Sequence, residues 1–145
     1  VLDYVGNLVH TGPVSTSRVD VVGVARDRAR VVVRGRIKAG RSARGSRTKL
    51  VTSVLMLGDG ARGYTAPFLE VDTGAVEEAS HSAHHARHST EQLAYLASRD
   101  LEPGEIEALV TGGALENALK VLRGLRGAGE DYIRTALGFV GRPRG

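Results

Sequence analysis

Four of the five histidines in this chain, His81, His84, His85 and His88, crowd into one stretch, SHSAHHARH, at Ser80–His88. Imidazole is the commonest metal ligand and titrates closer to neutrality than any other side chain. Offsets of three, four and seven would gather several of these rings on one helix face, a set suited to zinc or nickel. The residues that follow argue against such a helix. Ser89 and Gln92 form a capping-box pair, in which the serine oxygen accepts a backbone N–H and the glutamine reaches back to the cap. A helix should therefore begin near Ser89, after the last histidine. His84, His85 and His88 are expected as solvent-exposed loop residues, and a stand-alone metal centre on His81, His84, His85 and His88 is the alternative. The chain has no cysteine, so disulfides and thiolate metal sites are excluded. No nucleophile–base pair or paired carboxylate motif argues for an enzyme.

The elements that must position these residues are β-runs before them and helices after them. Val1 to about His10 reads as a strand or strand remnant, with a turn signal at Gly6-Asn7. In Arg30 to Ala39, Val31, Val33, Gly35, Ile37 and Ala39 alternate with Arg34, Arg36 and Lys38, the pattern of a half-buried strand with a basic outer face. Val19, Val21, Gly23 and Ala25 repeat it more loosely. Leu50 to Leu57 is apolar on both faces, with only Thr52 and Ser53 polar, so it should be buried on both sides. Leu50, Val54 and Met56 then belong to a central strand covered by the C-terminal helices, or to the subunit interface that the family resemblance described below implies. Tyr64 to Val71 is a strand interrupted by Pro67, which cannot donate to a ladder and belongs at an edge or bulge.

After the capped helix, with Leu93, Leu96 and Ala97 on its apolar face and an end near Ser98, Pro103 suits a first helical position. That second helix should end at Gly112-Gly113. A third would carry Leu115, Ala118, Leu119, Leu122 and Leu125, and a fourth, from about Glu130, Ile133, Ala136, Leu137 and Val140. Periodicity alone leaves a sandwich, a barrel or a solenoid open.

A family resemblance narrows the choice. Pro67, Leu69 and Glu70, then Ser80, His81 and Ala83, then Glu91, Gln92, Leu93, Tyr95, Leu96, Ser98, Arg99 and Leu101 resemble the C-terminal part of the SufB/SufD family, scaffold subunits of iron–sulfur cluster assembly. The likeness extends more weakly from about Thr16 to Ala114. It implies a mainly β fold with C-terminal helices: a partial right-handed parallel β-helix over residues 1–79, truncated at its N-terminal end, and a histidine-rich connection with a small helical domain over 80–145. A fragment of a longer member, or an unusually short one, is expected from the abrupt start. The resemblance further implies a SufC-like ABC-type ATPase docked on the helices, with Leu115, Leu119 and Leu122 as its contacts, and a second SufB/SufD-type subunit or a homodimer as partner. His81 matches a histidine that SufD uses at its interface with SufB, where the cluster is thought to form. SufB carries a cysteine on the strand matching Leu50 to Leu57, where Thr52 and Ser53 stand here, and a glutamate after its histidine, where Ser82 stands. The chain is thus closer to SufD. It would bind no cofactor alone, and a transient cluster only with ligands from a partner. Asp100 replaces the family's glycine.

Composition fits a single ordinary core: 41% hydrophobic and 25% charged residues. The formal net charge is +4, and aromatic residues make up 4%. The basic run Arg34, Arg36, Lys38, Arg41, Arg44, Arg47 and Lys49 could bind phosphates, yet strand alternation and few aromatics favour a solvated outer face, and nucleic acid is not an expected partner. No apolar run is long enough to span a bilayer. A soluble, cytoplasmic protein is expected.

Overall fold

The computed structural model describes residues 1–99 and 101–119. Six strands alternate between two three-stranded sheets: β1 (Leu2–His10), β3 (Arg30–Ala39) and β5 (Arg62–Val71) in one, β2 (Thr16–Arg26), β4 (Arg47–Leu57) and β6 (Glu78–His88) in the other. The pairs β1/β3, β2/β4 and β3/β5 are parallel, with registers opening at Leu2↔Val31, Thr16↔Arg47 and Arg30↔Arg62. Each return to a sheet thus lands one strand further along it, and the chain winds as three stacked coils of two strands each. The expected mainly β fold with parallel pairing and helices after the strands is what the chain adopts. It divides into two compact units, Val1–Arg87 and a second that begins at His88. The break falls later than the expected one at Ala79/Ser80, because Glu78–His88 continues the coil as a strand.

The coil interior follows from strand parity. Val31, Val33, Gly35, Ile37 and Ala39 are buried on β3 while Arg34 and Arg36 are exposed, as their alternation requires. On β4, Leu50, Val54 and Met56 are 0%, 1% and 8% exposed, and Leu55 and Leu57 on the opposite face are buried as well. The strand is therefore covered on both sides near its end. Val31 and Val33 meet Val54 and Met56 in one cluster with Ala25 and Ala61, the two sheets packing face to face. The interface reading of Leu50, Val54 and Met56 gives way here. Their side chains are spent on the chain's own core, where leaving water stabilises the fold by about 1.5–3 kcal/mol for each large residue. Pro67 sits on β5, last in the order β1-β3-β5, where a missing N–H costs no ladder bond to a further strand.

Corners repeat between coils. Val14 and Gly45 both have positive φ (52° and 66°), as do Asp27 and Gly58 (54° and 88°). Each member of a pair stands just beyond residues already in register, so one left-handed residue turns the chain at the same place in successive coils. Val14 N donates to Arg44 O at 2.8 Å, and Gly45 N to Ala75 O at 2.7 Å. Glycine takes this conformation freely, whereas a β-branched valine there is strained.

Three local expectations change. Gly6-Asn7 makes no turn: β1 runs straight through it, held by the register Gly6↔Gly35 and Asn7↔Arg36. The second helix, α2 (Pro103–Leu119), continues past Gly112-Gly113. Two internal glycines cost a helix about 1 kcal/mol each relative to alanine, which the helix-forming residues around them offset. Leu115 and Leu119 therefore belong to α2 rather than to a separate helix. Leu122, Leu125 and the fourth helix expected from Glu130 lie outside the described residues. The first helix is as expected: α1 (Thr90–Ala97) follows Ser89, whose Oγ accepts from Gln92 N at 3.2 Å while Gln92 Oε1 accepts from Ser89 N at 2.9 Å. No helix among the described residues is long and apolar enough to cross a membrane.

Candidate functional site

The histidine stretch is not a loop. It is β6, an edge strand next to β4, so successive side chains point to opposite faces. His81, His85 and Arg87 share one face, and His84 and His88 the other. Two residues of the first face reach the coil: His85 Nε2 lies 3.1 Å from Thr65 Oγ1 on β5, and Arg87 Nη2 donates to Ala61 O at 3.0 Å beside the Met56 sulfur. Further along β6, Ser82 O accepts from Thr52 Oγ1 of β4 at 3.4 Å. Thr52 is fully buried. His81 is exposed.

The metal reading fails on this geometry. His81 and His85 are four residues apart on a strand, about 13 Å at a rise near 3.3 Å, and His84 points away from His85. Among the described residues no three histidine, aspartate or glutamate side chains gather as a metal site. The helical offsets that made His81, His84, His85 and His88 look convergent do not apply to a strand.

A second polar group went unread in the sequence. His10, 6% exposed at the end of β1, holds Ser15 Oγ at 2.5 Å through Nδ1 and Ser17 Oγ at 2.7 Å through Nε2. Ser15 Oγ lies 2.9 Å from Ser46 Oγ, and Ser17 Oγ 2.9 Å from Thr48 Oγ1, one coil further on. Every hydroxyl can act as donor or acceptor, so the column is internally satisfied and reads as a polar seam between coils. The signal for it in sequence is spacing: Ser17 faces Thr48 in the β2/β4 register, and Ser15 and Ser46 stand the same 31 residues apart just before it.

Four cations of the basic run, Arg34, Arg36, Lys38 and Arg47, are ion-paired. Arg34 pairs with Asp3 at 2.9 Å, Arg36 with Glu70 at 2.5 Å, Lys38 with Glu70 at 2.6 Å and Asp72 at 3.2 Å, and Arg47 with Glu77. Hydrogen bonds from Lys38, then Arg36, hold the Glu70 carboxyl below its ordinary range, and Arg47 does the same for Glu77. A carboxylate depressed in the folded state adds stability above its unfolded pKa, about 4.3, and that stability is lost as pH falls through the folded value. Thermal midpoints should therefore drop on acidification below about pH 4, less steeply in Glu70→Gln. Because the groups are exposed, the difference should be small and should shrink further in high salt. Parallel pH profiles for the two proteins at low salt would show that the Glu70 pairs add nothing.

Comparison with known proteins identifies a family. The family described as "SUF system FeS cluster assembly, SufBD core domain" matches residues 1–114, which takes in all six strands and α1. An iron–sulfur cluster assembly SufBD family protein of Staphylococcus saprophyticus is 30% identical over 122 residues, 84% of this chain, and one of Staphylococcus aureus is 28% identical over the same length. The chain spans about a quarter of the length of these relatives, 26% in each case. On the strength of a match that covers the whole coil, this chain belongs to the SufBD core-domain family of the SUF iron–sulfur cluster assembly system.

Proposed function

We propose that the chain is a SufD-like, C-terminal portion of a cytoplasmic scaffold on which iron–sulfur clusters are assembled, its coil wound as a right-handed β-helix. The role is assembly rather than catalysis. The single observation that carries the reading is the family match across residues 1–114, a span that includes the whole coil and the exposed His81 on its last strand. Lacking cysteine, the chain offers imidazole, carboxylate and hydroxyl groups, so the sulfur ligands of a cluster come from a second SufB/SufD-type subunit or from sulfide. A SufC-like ABC ATPase docks on the helices from Pro103 onward, the reading that assigns it Leu115, Leu119 and Leu122. A homodimer is the alternative to pairing with a second type of subunit, and Leu50, Val54 and Met56 are no part of either contact because they are buried within the coil.

Co-expression tests the reading as a whole. The chain, a cysteine-bearing SufB-type subunit and a SufC-like ATPase should be recovered as one complex that gains the absorbance of sulfide-bound iron on anaerobic supply of iron and sulfide. A chain ending at Leu101 should still fold as a coil but lose the ATPase. Recovery of the ATPase in equal amount with both lengths would reject the docking assignment, and a chain that never co-purifies with either protein would reject the scaffold role.

A further inference from the structure

The corner that joins β4 to β5 gathers arginines without carboxylate partners. Arg62 Nη1 donates to Asp59 O at 2.8 Å and to Ala61 O at 3.0 Å. From the neighbouring coil, Arg87 Nη2 donates to the same Ala61 O at 3.0 Å, and its Nη1 to Gly58 O at 3.0 Å and Asp59 O at 3.4 Å. Two guanidinium groups thus share two carbonyl oxygens, and their nitrogens stand no more than about 6 Å apart, within the range where like charges act on each other. A third, Arg30, faces Arg62 directly across the parallel β3/β5 ladder and lies over the Tyr64 ring at 4.8 Å. Like charges in such register are unfavourable unless something lies between them. The acidic side chains of this corner are Asp27 and Asp59, and among the described residues neither forms an ion pair with Arg30, Arg62 or Arg87. Arg34, Arg36, Lys38 and Arg47 of the basic outer face each have a carboxylate partner, which these three arginines lack among the described residues.

Donors remain for a ligand. Among the described residues Arg62 keeps Nε and Nη2 unengaged, and the Arg30 guanidinium makes no hydrogen bond. Neutral carbonyls satisfy Arg87 and part of Arg62 in direction but not in charge. Guanidinium forks match the oxygen spacing of tetrahedral oxyanions, and a doubly charged group offsets several clustered cations where a single carboxylate offsets one. We infer that this corner is a phosphate-binding site, with Arg30 and Arg62 as its direct donors and Arg87 holding the turn and adding to the positive field. The group can arrive as free inorganic phosphate or as the phosphomonoester of a small molecule. Tyr64, already stacked under Arg30, offers an adjoining ring face to a planar group on such a molecule.

The test is titration of the whole chain with sodium phosphate, with sodium chloride of matched ionic strength, and with adenosine monophosphate, read by calorimetry and by thermal midpoint. Saturable one-to-one phosphate binding, absent with chloride, is expected. Arg62→Gln should weaken it at least tenfold, and Arg62→Lys, which keeps the charge but not the fork, by a smaller factor. Arg30→Gln, whose parent side chain is exposed and lies over the Tyr64 ring, should fold normally by circular dichroism and also lose binding, so the result stands even where Arg87→Gln or Arg62→Gln unfolds. Tighter binding of adenosine monophosphate than of phosphate identifies an organic phosphomonoester as the source, and the reverse order identifies free phosphate. Equal effects of phosphate and chloride, or undiminished phosphate binding by folded Arg30→Gln, would overturn the assignment.

Discussion

Gly63→Ala is expected to remove at least about 3 kcal/mol of stability, a large share of the roughly 5–15 kcal/mol that holds a domain of this kind together. A Cβ built on Gly63 would stand 2.2 Å from Val54 Cγ1, 3.1 Å from Val54 Cβ and 3.2 Å from Met56 Cγ. Rotating Val54 would relieve its Cγ1 but leave its Cβ at 3.1 Å and Met56 Cγ at 3.2 Å, both tighter than ordinary contact, and both neighbours are already packed in the core. Relief requires β5 to move away from β4, which opens the seam between the sheets. Ordinary overpacking costs about 1–3 kcal/mol, and this case adds displaced backbone. Gly35→Ala should cost less, about 1–2 kcal/mol, since its nearest clash, 2.7 Å, is with the far end of the Leu50 side chain, which can turn. Gly74→Ala, with nothing within 4 Å, is the control and should change stability by about 0.5 kcal/mol or less. Urea unfolding measures all three. A Gly63→Ala midpoint within error of the Gly74→Ala control would mean that the sheets do not approach as closely as described.

These glycines also show what a single sequence can and cannot disclose. Gly35 could be placed on the inner face of β3 from alternation with Arg34 and Arg36, because a strand half in water writes its burial into its residue types. That it is glycine because Leu50 presses against it could not be read, since the contact depends on which strand the coil brings opposite. The capping box at Ser89 was legible for a similar reason: donor and acceptor are three residues apart, and the whole interaction is local. Pro67 was legible through the hydrogen bond it cannot make.

Strand β6 was not legible. An edge strand exposed over most of its length has no need of apolar alternation, and its Ser, His, Ala and Arg residues read as loop or helix with equal ease. The offsets of three and four among its histidines carry meaning only on a helix, so the same spacing that suggested a metal cluster separates the rings once the backbone is extended. The His10 seam was hidden by distance along the chain, its partners Ser46 and Thr48 arriving one coil later. The coil repeat itself is nearly silent in the residue types. Only the left-handed corners, Val14 with Gly45 and Asp27 with Gly58, recur by conformation, and neither pair shares a residue type.

His81→Ala is expected to abolish cluster formation in the complex with a cysteine-bearing partner while leaving the chain folded and the complex intact. The expectation rests on the proposed scaffold role and on three features of the position. The side chain is exposed, so its removal empties no cavity and should change stability by about 0.5 kcal/mol or less. It makes no hydrogen bond or ion pair among the described residues, which leaves both ring nitrogens available to iron. It also adjoins Ser82, whose carbonyl is held by buried Thr52, so the backbone that presents the ring is fixed by the core of the coil. His84 and His88 lie on the opposite face of β6, and His85 is engaged with Thr65, so alanine at any of these three should leave cluster formation near the wild-type rate. Purified alone, wild-type and variant chains should both be colourless, because no thiolate is present to hold a cluster. The measurement is the rate at which sulfide-bound iron absorbance develops in the reconstituted complex, with circular dichroism and complex recovery as controls. Wild-type rates from a folded, fully paired His81→Ala complex would remove His81 from the assembly role, and unfolding of the variant would identify the ring as a structural part of β6 instead.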